Sequence, residues 1–208
     1  MEFVVQCLAL FHKGGPVMYL LLACSLAVAA IGVERYLYFR EGKALAGGPG
    51  EGIKPAVEGG DWDKALEIAR QTGGIVAGIA AKGIGYYRQG VGSIKSVLEG
   101  EASLAAARLR ENLNHLDMIV TIAPLLGLLG TVIGMIQSFS VLNIKNGQPL
   151  AITGGVGEAL VATAAGLCVA VLSMVLYSYF SHRLDRIITD IEEICTVLIA
   201  RAERDQGR

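Results

Sequence analysis

The stretch MIVTIAPLLGLLGTVIGMIQSFSVLNI, residues 118–144, runs 27 residues without a charged side chain. About 20 apolar residues carry an α-helix across the ~30 Å of hydrocarbon in a bilayer, so the stretch reads as a transmembrane helix and decides the class of the chain. Two further runs have the same character. Val17–Val33 is apolar and continues into Tyr36, Tyr38 and Phe39, aromatic residues of the kind that sit at headgroup level. The third run extends from about Gly155 to Phe180. Hydrophobic residues make up 53% of the 208 residues, more than the roughly 45–50% of a soluble domain. The charged residues avoid these three runs almost completely, and Glu158 is the one acid within them. The expected fold is an all-α integral membrane protein with three transmembrane helices, two of them extended into long cytoplasmic helices.

The spans divide the chain into seven parts. Residues 1–15 form a short outer-side interfacial segment, and 16–39 the first transmembrane helix. No small-x-small cleavage site follows the apolar run before Glu34 and Arg35, so the segment is expected to stay in place. Residues 40–117 form a cytoplasmic helical region, in which Asp61 is placed to cap a helix with Trp62, Leu66 and Ala69 on one face. From Ser93 onward Ile94, Val97, Leu98, Leu104, Leu109, Leu113 and Leu116 recur at helical spacing, and nothing between Glu101 and Ala123 breaks the pattern. Residues 118–142 form the second span, 143–154 an outer turn, 155–181 the third span, and 182–208 a cytoplasmic C-terminal helix. That tail carries Leu184, Ile187, Ile188, Ile191, Ile194 and Leu198 on its apolar side.

Orientation follows from the cations. Of the 18 Lys and Arg residues, eleven lie between Val33 and Met118 and five in the tail, against one in each of the two remaining segments. Positive charge stays inside, which puts the N-terminus outside and the C-terminus in the cytoplasm, in the inner membrane. The apolar faces of the two cytoplasmic helices need cover, which predicts a homo-oligomer.

The composition excludes several function classes. A net charge of −1 gives no electrostatic basis for nucleic-acid binding. Cys7, Cys24, Cys168 and Cys195 are isolated, with no CxxC spacing. His12, His115 and His182 are far apart, and there is no P-loop or nucleophile elbow. No enzyme activity and no cofactor are implied.

Spans two and three carry small and hydroxyl residues on single faces. Gly127, Thr131, Gly134 and Ser138 fall at steps of four, three and four, with Gly130 and Gly134 forming a GxxxG pair. Ala159, Thr163, Gly166, Ala170, Ser173 and Tyr177 repeat the spacing in span three, with Ala162 beside them. Small residues let helix backbones approach closely in lipid, so one reading of these faces is packing alone. A membrane threonine also often bonds a carbonyl of its own helix. The other reading joins Thr131 and Thr163 with Glu158 into a polar track, since hydroxyls donate and accept without carrying a fixed charge. Glu158 is either part of that track or a hydrated residue at the outer boundary; an acid well inside a span is costly and by default functional. Pro124 removes one helix hydrogen bond and could bend span two.

The strings IAPLLGLLGTVIGM (residues 122–135) and GEALVATAAGL (residues 157–167) resemble the MotA/TolQ/ExbB proton channel family. Three spans and a short outer turn are similar to its ExbB/TolQ branch. Ile133 departs from the tryptophan that ExbB proteins often carry. The resemblance implies a pentamer around the single-span helices of two copies of an ExbD- or TolR-like partner whose membrane aspartate is protonated and released. It places the pore threonines at Thr131 and Thr163 and the span-three glutamate at Glu158. It implies a channel-forming motor subunit that converts proton motive force into movement of the partner and energises envelope transport. A purely structural membrane scaffold and a sodium-driven motor remain the alternatives.

Overall fold

The computed structural model describes residues 15–40, 52–144 and 149–207. The expected interfacial segment lies outside them except for Gly15, as does the centre of the expected outer turn. Every regular element among the described residues is helical. The α-helices are α1 (Val17–Arg40), α2 (Ile53–Glu58), α3 (Trp62–Thr72), α4 (Gly74–Gly85), α5 (Val91–Arg110), α6 (Leu113–Ile144) and α7 (Pro149–Gln206), and a 3-10 turn covers Tyr87–Gln89. Three helical runs, Val17–Phe39, Val91–Ser140 and Gly154–Gln206, are long and apolar enough to cross a bilayer.

The chain forms two compact units, the first made of residues 1–32 and 114–178 and the second of 33–113 and 179–208. In the first unit the usual distribution of side-chain sizes is inverted. The buried positions of α6 and α7 include Ala123, Gly127, Gly130, Gly134 and Ser138 opposite Ala159, Ala162, Gly166, Ala170 and Ser173. Leu125, Leu128, Val132, Ile136 and Phe139 of α6 point outward, as do Leu160, Leu167, Val171, Leu172 and Val175 of α7. Water would drive those large side chains inward. In lipid they cost nothing outside, and close backbone contact becomes the main source of attraction. Val17, Met18 and Leu21 of α1 complete this core with Ala123, Ala162 and Ala170.

The second unit follows ordinary soluble logic. Its buried aliphatic residues include Ile53, Val57, Ile94, Leu98, Leu109, Ile187, Ile191, Ile194 and Leu198. Helix α3 starts where Asp61 accepts a hydrogen bond from the backbone N–H of Lys64 at 3.0 Å, which satisfies one of the orphan donors of a helix start. Ala65 and Ala69 form its deepest face, with Trp62 and Leu66 half-buried beside them. Gly83 lets α4 approach α5, since a methyl group there would collide with Leu98. Leu104, expected on the apolar stripe of α5, is 56% exposed. The C-terminal part of α7 is tied down by polar contacts. Trp62 Nε1 donates to Asp205 Oδ2 at 3.0 Å, the Tyr87 hydroxyl donates to the same oxygen at 2.9 Å, and Arg201 holds Oδ1 at 3.0 Å. The Trp62 and Tyr87 rings stack with centroids 4.0 Å apart. Lys54 of α2 pairs with Glu193.

Two details differ from the sequence expectation. The run from α5 into α6 is interrupted by a turn at Glu111-Asn112, although Glu111 keeps helical dihedrals, with φ −48° and ψ −53°. The Asn112 side chain donates to Glu34 of α1 at 2.7 Å there. Helix also occupies part of the expected outer turn, residues 143–154, because α6 continues to Ile144 and α7 starts at Pro149. Proline suits a first helical position, where its missing N–H would have no partner.

Candidate ion path and helix-packing face

The two small-residue faces meet each other inside one chain. A methyl group on Gly166 would fall 2.6 Å from the Ala123 carbonyl oxygen, one on Gly130 2.5 Å from the Ala162 Cβ, and one on Gly134 3.0 Å from the Ala159 Cβ. Gly127 faces Thr163, and a methyl there would lie 3.1 Å from the Thr163 Cα. These glycines are therefore required by contact between α6 and α7, and larger side chains would force the helices apart.

The hydroxyls are distributed along the same seam. Ser138, buried, donates to the Gly134 carbonyl of its own helix at 2.8 Å. Thr131, half-buried, donates to the Leu128 carbonyl of its own helix at 2.6 Å. Thr163, also half-buried, reaches across instead and donates to the Gly127 carbonyl of α6 at 3.1 Å. Ser173 makes a second crossing bond, to the Leu116 carbonyl at 3.0 Å, and is fully buried. Sequence reasoning placed Ser173 on the small face without assigning it a bond; its position in that row was the available signal. Pro124 lies inside α6, which continues through it. Glu158 lies on α7, one residue before the buried Ala159, and its side chain is outside the described set.

The chemistry follows from these bonds. With their protons directed at helix carbonyls, the hydroxyls of Thr131 and Thr163 have oxygen lone pairs left to offer. Neither threonine is fully enclosed, so each presents an acceptor at the edge of the seam. From Met118 to Ile144, and from Ala159 to Ser181, neither helix contains an ionisable Asp, Glu, Lys, Arg or His side chain. A titrating acid at this depth must come from Glu158 or from another chain.

The family model described as the MotA/TolQ/ExbB proton channel family matches residues 74–193. The chain belongs to the MotA/TolQ/ExbB proton channel family. The match covers α4, α5, all of α6 and most of α7, including every residue of the seam. An ExbB homolog of Methanothermobacter thermautotrophicus is 29% identical over 194 residues, 93% of this chain and 69% of that protein. An ExbB-like protein of Synechocystis is 33% identical over 177 residues, 80% of this chain and 67% of its own length. The biopolymer transport protein ExbB of Salmonella typhimurium is 32% identical over 92 residues, 44% of this chain and 38% of that protein. As a member of this family, with three bilayer-length apolar helices, the chain is a membrane protein.

Proposed function

We propose that this subunit lines the ion path of a proton-driven inner-membrane motor of the ExbB/TolQ type, with the N-terminus outside and the C-terminus in the cytoplasm. Several copies, five by resemblance, surround a single-span ExbD- or TolR-like partner that carries a membrane aspartate. Thr131 and Thr163 face that partner and, with Glu158, define the route of the ion. Proton motive force then moves the partner and energises transport at the envelope, in line with the biopolymer transport role in the name of the Salmonella relative.

The observation that carries this reading is the bond from Thr163 to the Gly127 carbonyl. It fixes the hydroxyl oxygen between two helices as an acceptor. An acceptor suits a cation, a hydronium-like water or the protonated form of a partner carboxyl, and it disfavours an anion. One charge moving through 100 mV releases about 2.3 kcal/mol, so useful work needs several ions per cycle, which a ring of identical seams provides.

The decisive experiment measures proton flux in vesicles containing this subunit and its partner. Thr163→Val is expected to abolish flux while the complex still assembles, and Thr163→Ser to retain it. Unchanged flux in Thr163→Val would remove the hydroxyl from the path. A scaffold is the second reading, favoured by the glycine contacts that hold α6 and α7 together; it predicts no flux in any variant. Replacing the proton gradient with a sodium gradient separates the two ions.

A further inference from the structure

Helices α4 and α5 bound a groove of about 300 Å³ that also includes Tyr38, near the end of α1. Its apolar walls are Ile75, Ile79 and Leu104, and Leu104 is exposed in an otherwise soluble-style unit. Its polar edge holds Lys82, Glu101 and Arg108. Lys82 and Glu101 pair at 2.8 Å and neutralise each other. Arg108 makes no hydrogen bond or ion pair among the described residues. Tyr38, on the groove, also faces a second cation: the Arg35 guanidinium sits 5.5 Å from the centre of its ring. Arg35 is 4% exposed, and among the described residues its Nε has no hydrogen-bond partner and its guanidinium forms no ion pair. A neighbouring anion relieves the cost of a buried guanidinium.

We propose that this groove seats the headgroup of an anionic membrane phospholipid, with the phosphate against Arg108 and acyl carbons along Ile75, Ile79 and Leu104. Three observations select this occupant. Tyr38 closes a helix apolar enough to span a bilayer, so the groove opens at the membrane surface. Among the described residues, Arg108 on the groove and Arg35 against Tyr38 are cations without an ion pair. Its mixture of one cationic edge with aliphatic walls matches an amphiphile better than a free ion, because a free ion leaves the walls uncovered. The inference is independent of the ion path and requires only that α1 be a membrane helix.

The test uses the full-length protein purified in mild detergent and native mass spectrometry with phosphatidylglycerol, phosphatidylcholine or inorganic phosphate as probes. Phosphatidylglycerol should be retained in preference to phosphatidylcholine. Arg108→Gln should weaken that retention about fivefold, the loss expected for one basic group near an anionic surface. Arg110→Gln, a charge change two residues away and not on the groove, should leave it unchanged. Both variants are exposed positions, and an unaltered melting temperature verifies their folding. Equal retention of the two lipids, or equal loss in both variants, overturns the site. Displacement of the lipid by millimolar phosphate would identify a simple phosphate site and overturn the lipid assignment.

Discussion

The hydroxyl of Ser173 donates to the carbonyl oxygen of Leu116 at 3.0 Å, joining two helices at a point with no solvent exposure. With the bond from Thr163 to Gly127 it flanks the contact of Gly166 with Ala123, and the contacts of Gly130 and Gly134 follow beyond Thr163. Interhelical hydrogen bonds in membranes contribute on average about 0.6 kcal/mol each and up to about 2 kcal/mol. Ser173→Ala should therefore lower the thermal stability of the detergent-solubilised protein slightly and leave ion flux intact. A melting curve together with a flux assay distinguishes this residue from Thr163.

Gly166 and Gly157 lie on the same helix in different surroundings. A methyl on Gly166 would meet the Ala123 carbonyl oxygen and the backbone of Gly127, whereas Gly157 has open space. Gly166→Ala should cost about 1–3 kcal/mol, as overpacking does. Gly157→Ala should be neutral or stabilising, since alanine is the better helix former by about 1 kcal/mol. The two melting temperatures should move apart; a common shift would mean that α6 and α7 do not pack through Gly166.

Trp62 is the sole tryptophan, so intrinsic fluorescence reports its stack on Tyr87. Burial is the main factor pushing the Tyr87 phenol above its ordinary value of 10.0, followed by its hydrogen bond to Asp205 and the negative charge there. A raised folded-state pKa means that the stabilising contribution is complete below the unfolded value near 10 and disappears as pH rises through the folded value. Trp62 emission should therefore hold through pH 10 and change above it. Asp205→Asn removes the charge and moves that transition to lower pH, which a fluorescence titration reads directly.

The Cys195 thiol is pushed up to about 11 by burial, with Glu192 adding to the effect. Only the thiolate reacts, so at pH 8 its reactive fraction is roughly a hundredfold below that of a thiol at 9. Alkylation of Cys195 by a maleimide should be slow and should continue to accelerate beyond pH 9. Glu192→Gln should speed it modestly.

What the residues revealed in advance depended on how local the controlling physics was. The Asp61 cap and the stripe through Ile187, Ile191, Ile194 and Leu198 rest on spacings of three and four residues, and both stand in the structure as expected. The lengths of the apolar runs identified the membrane helices. The interruption at Glu111-Asn112 involves Glu34, 78 residues away from Asn112, and no window on the chain contains both. The start of α7 at Pro149 was hidden because the turn was carried through Gly154, a residue type that resembles a turn in water but is tolerated in membrane helices. Spacing also placed Thr131 and Thr163 on small faces, yet only three dimensions separate a hydroxyl bonded within its own helix from one bonded across to the next.

Because the seam glycines and alanines are committed to contacts within a single chain, what approaches away from the half-exposed Thr131 and Thr163 meets Leu128, Val132, Leu160 and Val171. The interior and exterior of the three-helix unit can consequently drift under different selection. A substitution among the outer leucines retunes neighbour choice or membrane thickness, while the inner seam, with no room for even one extra carbon at Gly166, stays fixed across such variants.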